Sequence, residues 1–324
     1  MASRLIERYM RGAYLPHIWC AGCGNGIILR DVVQAVDNLR LEKRDTVFVS
    51  GIGCSSRAVG YLDFDTLHTT HGRAIAFATG IKMARPELKV IVLTGDGDAA
   101  AIGGNHLIHA ARRNIDLTVV VLNNNIYGMT GGQFSPTTPI GDFSTTTPYG
   151  GIDPDFDIPA LAQAAGATYT ARGTAYHAAQ TTKLIEAAIL HEGFSVVECV
   201  TTCPTYYGRK NHRGNAVEML KWQRDNLVPT ARFYSMSEEE RRGKKLVGIL
   251  SFNDYPEYTE PEIPETPVEE TAEEEEFIDV NSFASEPLLE AEEYEINEYK
   301  GAHYAEEDED DAPHYPDNVL KIPD

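Results

Sequence analysis

The chain has 324 residues, of which 28 are basic and 49 acidic, a formal charge of −21, and no nucleic-acid partner is expected. No stretch approaches the roughly 20 apolar residues of a membrane span, and Met1-Ala2-Ser3-Arg4 lacks the apolar core of a secretory signal, so a cytoplasmic protein is expected. The acidity lies at one end: residues 255–324 hold 25 acidic and 2 basic side chains, a balance of −23, while residues 1–254 balance at +2.

In chain order, Cys20-Ala21-Gly22-Cys23-Gly24 comes first, two thiols two residues apart on a glycine-rich turn that can reach one metal centre. By itself such a pair fits a zinc knuckle or a redox dithiol equally well. Residues 46–49 read as a short apolar strand that delivers Gly51-Ile52-Gly53-Cys54-Ser55-Ser56. Next come two apolar runs, Val90-Ile91-Val92-Leu93-Thr94 and Leu117-Thr118-Val119-Val120-Val121-Leu122, with helical spacing between them from Asn105 to Arg113. Strand, helix, strand implies parallel strands whose ligands gather at their carboxyl ends. The first strand delivers Gly95-Asp96-Gly97-Asp98, which taken alone would more often be only a turn, and the second Asn123-Asn124-Asn125-Ile126. A carboxylate and a carboxamide thus meet at one sheet edge, as a hard cation bound to a diphosphate requires. Asn123 and Asn125 are expected only to cap the strand end. A last apolar strand, 195–200, precedes Cys203-Pro204, and Cys199 inside it reads as a buried structural thiol. Beyond 254, glutamates alternate with prolines, and such a stretch buries too little apolar surface to offset its ordering entropy. The expected organisation is a folded domain over 1–254 and a disordered acidic tail over 255–324.

Gly95-Asp96-Gly97 followed by Asn123-Asn124 resembles the metal motif of thiamine-diphosphate enzymes. There the Asp, the Asn and a backbone carbonyl two residues on hold Mg2+, which here would be Asp96, Asn124 and the carbonyl of Ile126. Trp19 to Gly26, Gly53-Cys54-Ser55-Ser56-Arg57, His71-Gly72-Arg73-Ala74, Gly95 to Asp98, Tyr127-Gly128-Met129-Thr130-Gly131-Gly132-Gln133 and Cys203-Pro204-Thr205 resemble, in order, the beta subunit of 2-oxoacid:ferredoxin oxidoreductases. The likeness runs from about Pro16 to about Trp222 and leaves the acidic tail outside it.

That resemblance implies an α/β thiamine-diphosphate-binding fold of the diphosphate-domain type, a mostly parallel sheet with helices on both faces. It implies a 4Fe-4S cluster on Cys20, Cys23, Cys54 and Cys203, and cofactor contacts from Ile52, Gly53, Cys54, Ser55, His71, Gly72, Arg73, Ala74, Gly97, Asp98, Gly128 and Met129. The implied reaction is oxidative decarboxylation of a 2-oxoacid with coenzyme A, with electrons passing through the cluster to ferredoxin. The Gly131-Gly132-Gln133 and Ser135-Pro136-Thr137-Thr138-Pro139 segments, with Gly208 to Asn211, are similar to members acting on 2-oxoglutarate. Many relatives carry Lys where Gly131 stands, which leaves pyruvate or a branched-chain 2-oxoacid as alternatives. A cluster-free thiamine-dependent decarboxylase with structural zinc is a further one, and a regulatory subunit with a decayed site another.

In the family the Glu that activates the aminopyrimidine lies on a separate domain, roughly 150 residues in size. Only 94 residues precede Gly95, and they already hold the first strand and cysteine turns. An alpha subunit is therefore expected to supply that Glu, with most of the substrate and coenzyme A contacts. No catalytic side chain is assigned to this chain.

Overall fold

The structure, a computed structural model, describes residues 2–253, 255, 257 and 258. The expected tail lies outside the described residues apart from Tyr255, Glu257 and Tyr258. Asn114 Nδ2 donates to the Tyr255 carbonyl at 3.2 Å and the Tyr258 N–H to the Asn114 carbonyl at 3.2 Å, so ordered backbone continues past 254.

Eight strands form one sheet: β1 (Thr46–Ser50), β2 (Asp65–His68), β3 (Lys89–Gly95), β4 (Leu117–Asn123), β5 (Tyr169–Thr174), β6 (Phe194–Val200), β7 (Leu227–Pro229) and β8 (Lys245–Phe252). Their spatial order is β2-β1-β3-β4-β6-β5-β8-β7. The neighbours from β2 through β5 are all parallel, whereas β8 runs antiparallel to β5 and parallel to β7. The mostly parallel α/β sheet that the resemblance implies is therefore the fold.

Continuous apolar runs arise because both faces of the central strands are covered. Ile91, Leu93, Val120 and Leu122 turn to one face, against α1 (Asn25–Leu39) and the later helix Ala178–Leu190. Val90, Val92, Val119 and Val121 turn to the other, against α2 (Ala74–Ala84), α4 (Gly104–Arg112) and α5 (Ile158–Ala164). This period-two alternation is what a strand dictates. Ile28 and Val32 of α1, four residues apart, are fully buried, as the helical period requires. Truncating a fully buried residue such as Ile91 to Ala costs about 2–5 kcal/mol.

Asp96–Ala100 form a short helix, α3, entered from an extended Gly95. Both carboxylates thus sit in a first helical turn, where backbone N–H groups lack intrahelical partners and favour negative charge.

Candidate cofactor and metal site

Because β1, β3, β4 and β6 are parallel, their carboxyl ends share one edge, and the register pairs Ser50 with Leu93, Gly95 with Leu122, and Asn123 with Val200. A cavity of about 130 Å³ opens among the segments leaving those ends. Nine of the expected cofactor residues line it: Ile52, Gly53, Cys54, Ser55, His71, Gly97, Asp98, Gly128 and Met129. They are joined by Asp96, Asn124 and Ile126, the expected metal set. Gly72, Arg73 and Ala74 stand off it. Gly72 uses its N–H on Asp98, the Arg73 guanidinium turns to the carbonyls of Gly72 and Ile102, and Ala74 is buried in the core at the start of α2.

Asp96 is 4% exposed, and burial holds its carboxyl above the usual range while hydroxyl donors pull the other way. Those donors are Ser135 Oγ and, at 2.7 Å, Thr137 Oγ1, both on Asp96 Oδ2. Asn124 Oδ1 accepts the Ile126 N–H at 3.2 Å. An oxygen-rich, desolvated donor set of carboxylate, carboxamide and carbonyl fits a hard divalent cation.

Asp98 braces the cavity wall. Its Oδ1 accepts from the Gly72 N–H at 2.6 Å and the Ile52 N–H at 3.3 Å and meets His71 Nδ1 at 2.6 Å, and its Oδ2 accepts from Thr94 Oγ1 at 2.7 Å. A carboxylate so committed fixes the 51–55 and 71–72 segments beside the cavity. Glycines permit the close approach: a Cβ on Gly51 would collide with the Asp98 carboxylate, and one on Gly97 with the Tyr127 ring. The Tyr127 hydroxyl, raised to about 12 chiefly by burial, donates to the Gly97 carbonyl at 3.2 Å.

Four cysteines approach from the same edge. A Cβ on Gly128 would lie 3.4 Å from Cys54 Sγ and 3.8 Å from Cys203 Sγ. Burial pushes the Cys23 thiol up to about 12 and the Cys54 thiol to about 11, and burial also raises Cys203; in all three, neighbouring thiols add to the effect. Such thiols ionise only when a cation balances them, which suits metal ligation. Among the described residues no three His, Cys, Asp or Glu side chains converge on the position of a single ion. Cys199 is fully buried within β6, among the core residues.

Residues 51–199 match the family model of the thiamine pyrophosphate enzyme C-terminal TPP-binding domain. The 2-oxoglutarate synthase subunit KorB of Methanocaldococcus jannaschii is 54% identical over 253 residues, which are 78% of this chain and 94% of that one. The chain belongs to the beta subunits of 2-oxoacid:ferredoxin oxidoreductases. Within these beta subunits it is most like the 2-oxoglutarate type: the KorB of Archaeoglobus fulgidus is 58% identical over 219 residues, 68% of this chain and 80% of that one. A solved structure, 2-oxoglutarate:ferredoxin oxidoreductase from Magnetococcus marinus with 2-oxoglutarate, coenzyme A and succinyl-CoA bound, superposes with a TM-score of 0.69. It is 36% identical and aligns over 78% of this chain and 86% of that one. The described residues contain no helix long and apolar enough to cross a membrane.

For this beta subunit the sequence missed the supports of Asp96. Ser135 and Thr137 lie 39 and 41 positions away, in a segment whose spacing carries no local signal for that contact. Asn123 does more than cap its strand. Its Oδ1 accepts the Asn125 N–H at 3.0 Å, and its Nδ2 donates to the buried Glu198 at 2.8 Å, which in turn holds Arg172. Arg172 and Glu198 line a second cavity of about 570 Å³ that borders the site at Asn124. Within its lining Arg172 pairs with Glu198 and Lys245 with Asp155.

Proposed function

We propose that this chain is the cofactor-holding half of an enzyme that oxidatively decarboxylates 2-oxoglutarate with coenzyme A, giving succinyl-CoA and carbon dioxide and passing the electrons to ferredoxin. The observation that carries the reading is one sheet edge on which Asp96, Asn124 and Ile126 share a cavity with Cys54, while Cys203 approaches Gly128 on the same wall. When bound, thiamine diphosphate supplies the electron sink for decarboxylation and a 4Fe-4S cluster supplies the one-electron outlet.

This chain's own residues place and shield. Asp96, Asn124 and the Ile126 carbonyl would hold Mg2+, with Ser135 and Thr137 keeping the carboxylate ionised and oriented. Cys20, Cys23, Cys54 and Cys203 would hold the cluster. Asp98 keeps His71 and the Ile52 to Ser55 segment at the cavity wall. The small cavity is one wall of a larger cleft, and the alpha subunit provides the other with the activating Glu and most of the substrate and coenzyme A contacts. Support for a complex comes from the relatives, which are named as subunits. Five free cysteines suit a reducing, cytoplasmic compartment.

The test is to purify the chain with its partner subunit without oxygen and follow coenzyme A-dependent reduction of methyl viologen against a panel of 2-oxoacids. Activity selective for 2-oxoglutarate, with about four irons and four acid-labile sulfides per beta subunit, is expected. Zinc without iron, or decarboxylation without dye reduction, would refute the redox assignment.

A further inference from the structure

The geometry points to the face around the Cys20 turn as the docking surface for a small acidic one-electron carrier, an inference that rests on the function proposed above. The three segments carrying the four cysteines, residues 12–30, 51–62 and 199–217, contain no Asp or Glu at all, and they contain Arg30, Arg57, Arg209, Lys210 and Arg213. Residues 1–254 hold 24 acidic side chains, so the exclusion is local. The segments are bound together. Trp19 Nε1 donates to the Cys54 carbonyl at 2.6 Å, Thr202 Oγ1 to the Gly22 carbonyl at 3.0 Å, and the Gly24 N–H to the Thr202 carbonyl at 3.1 Å. Gly22 lies so close to Ala216 that a Cβ on it would collide.

Arg30 is paired with Asp31 and Arg213 with Asp142, whereas Arg57, Arg209 and Lys210 form no ion pair among the described residues. Three cations of the cysteine-bearing segments are therefore without a carboxylate partner among the described residues. Cys20 is the exposed member of the four thiols; Cys23 and Cys54 are half-buried and Cys203 buried. Cys54 lines the cofactor cavity and Cys20 does not, so the cysteine site touches the cavity at one end and solvent at the other. Beside Cys20 the surface is apolar: Tyr14, Ile18 and Val217 are 63%, 69% and 58% exposed. An apolar centre in segments that carry such cations suits a short-lived complex with an acidic partner. Charge steers the encounter, and a small contact lets the partner leave.

Oxidising one 2-oxoacid to its thioester and carbon dioxide releases two electrons. A carrier that accepts one electron per visit would therefore dock twice per turnover. A nucleotide phosphate could use the same cations, but an acyl acceptor must reach the cofactor cavity, which Arg57, Arg209 and Lys210 do not line.

The experiment compares the wild-type complex with Arg57→Glu and with the Arg209→Glu, Lys210→Glu pair, using an acidic ferredoxin, methyl viologen and coenzyme A as variable substrates. The KM for ferredoxin should rise at least about tenfold at low ionic strength, and the gap should close near 0.5 M salt, where the Debye length falls to roughly 4 Å. Dye reduction should not fall and the KM for coenzyme A should not move. If the double reversal fails to assemble, the Arg209→Gln, Lys210→Gln pair should give a smaller rise of the same kind. An unchanged KM for ferredoxin overturns the docking surface, as does a rise confined to coenzyme A, which would give the cations to the nucleotide. A wild-type complex that reduces no dye overturns the function itself.

Discussion

Thr137→Val tests the Asp96 site most directly. The substitution keeps the shape of a side chain that is 2% exposed and removes one hydroxyl. That hydroxyl lies 2.7 Å from Asp96 Oδ2 and 3.0 Å from Asn123 Oδ1. Asn123 Oδ1 keeps the Asn125 N–H, so its loss is minor. Asp96 keeps only Ser135 as a hydroxyl donor on that oxygen. A hydrogen bond to a buried charged group contributes about 1.5–3 kcal/mol, and 1.4 kcal/mol is tenfold in an equilibrium constant. Metal binding needs the ionised carboxylate, so the Kd for Mg2+ and thiamine diphosphate, titrated by tryptophan fluorescence on the complex, should rise at least about tenfold. Thr137→Ser, which restores the hydroxyl, should recover most of it. A Thr137→Val complex that binds the cofactor within about twofold of wild type would show that this hydroxyl does not sustain Asp96.

Asp98→Ala should destabilise the fold by about 3 kcal/mol, since it leaves the Gly72 and Ile52 N–H groups and the Thr94 hydroxyl without their acceptor; a Tm within about 2 °C of wild type would contradict that. Cys54→Ser should lower iron content on anaerobic reconstitution while Cys199→Ala leaves it unchanged, and the reverse result would exchange their roles. Asp31, with no exposed surface, has a pKa raised to about 7 from 3.8, chiefly by burial. The unfolded chain therefore loses this proton at lower pH than the folded one, and stability falls as pH rises from about 4 to about 7. Asp31→Asn should match wild type in Tm near pH 4 and exceed it by several degrees at pH 8, and a gap that ignores pH would be the wrong answer.

The sheet was legible because its strands are covered on both faces, which forces unbroken apolar runs such as Val90 to Leu93 and Val119 to Leu122. Asp96 and Asn124 could be placed together because parallel strands bring their carboxyl ends to one edge whatever the loops do. What stayed hidden depends on where loops return. Ser135 and Thr137 were read only for their similarity to one substrate class, yet they hold Asp96 across 39 and 41 positions. Asp98 was read as a cofactor contact. It lines the cavity, but its oxygens are committed to Gly72, Ile52, His71 and Thr94, a brace that only the three-dimensional meeting of two strand ends creates. The short helix at Asp96 was hidden for the opposite reason, because Gly-Asp-Gly is common in turns and the helix is only five residues long.

The two candidate ligand sets share one physical design. Asp96 and three of the four thiols are each held in a less ionised state than water would allow, chiefly by burial. Each becomes a good anionic ligand only when positive charge arrives, because desolvation penalises the charged form until a cation compensates it. Cys54 ties the two sites together: it lines the cofactor cavity, and its thiol is pushed up by neighbouring Cys203, Cys20 and Asp96 as well as by burial. Uptake of a cation at either set of ligands therefore has to displace protons, and loading should tighten as the pH rises.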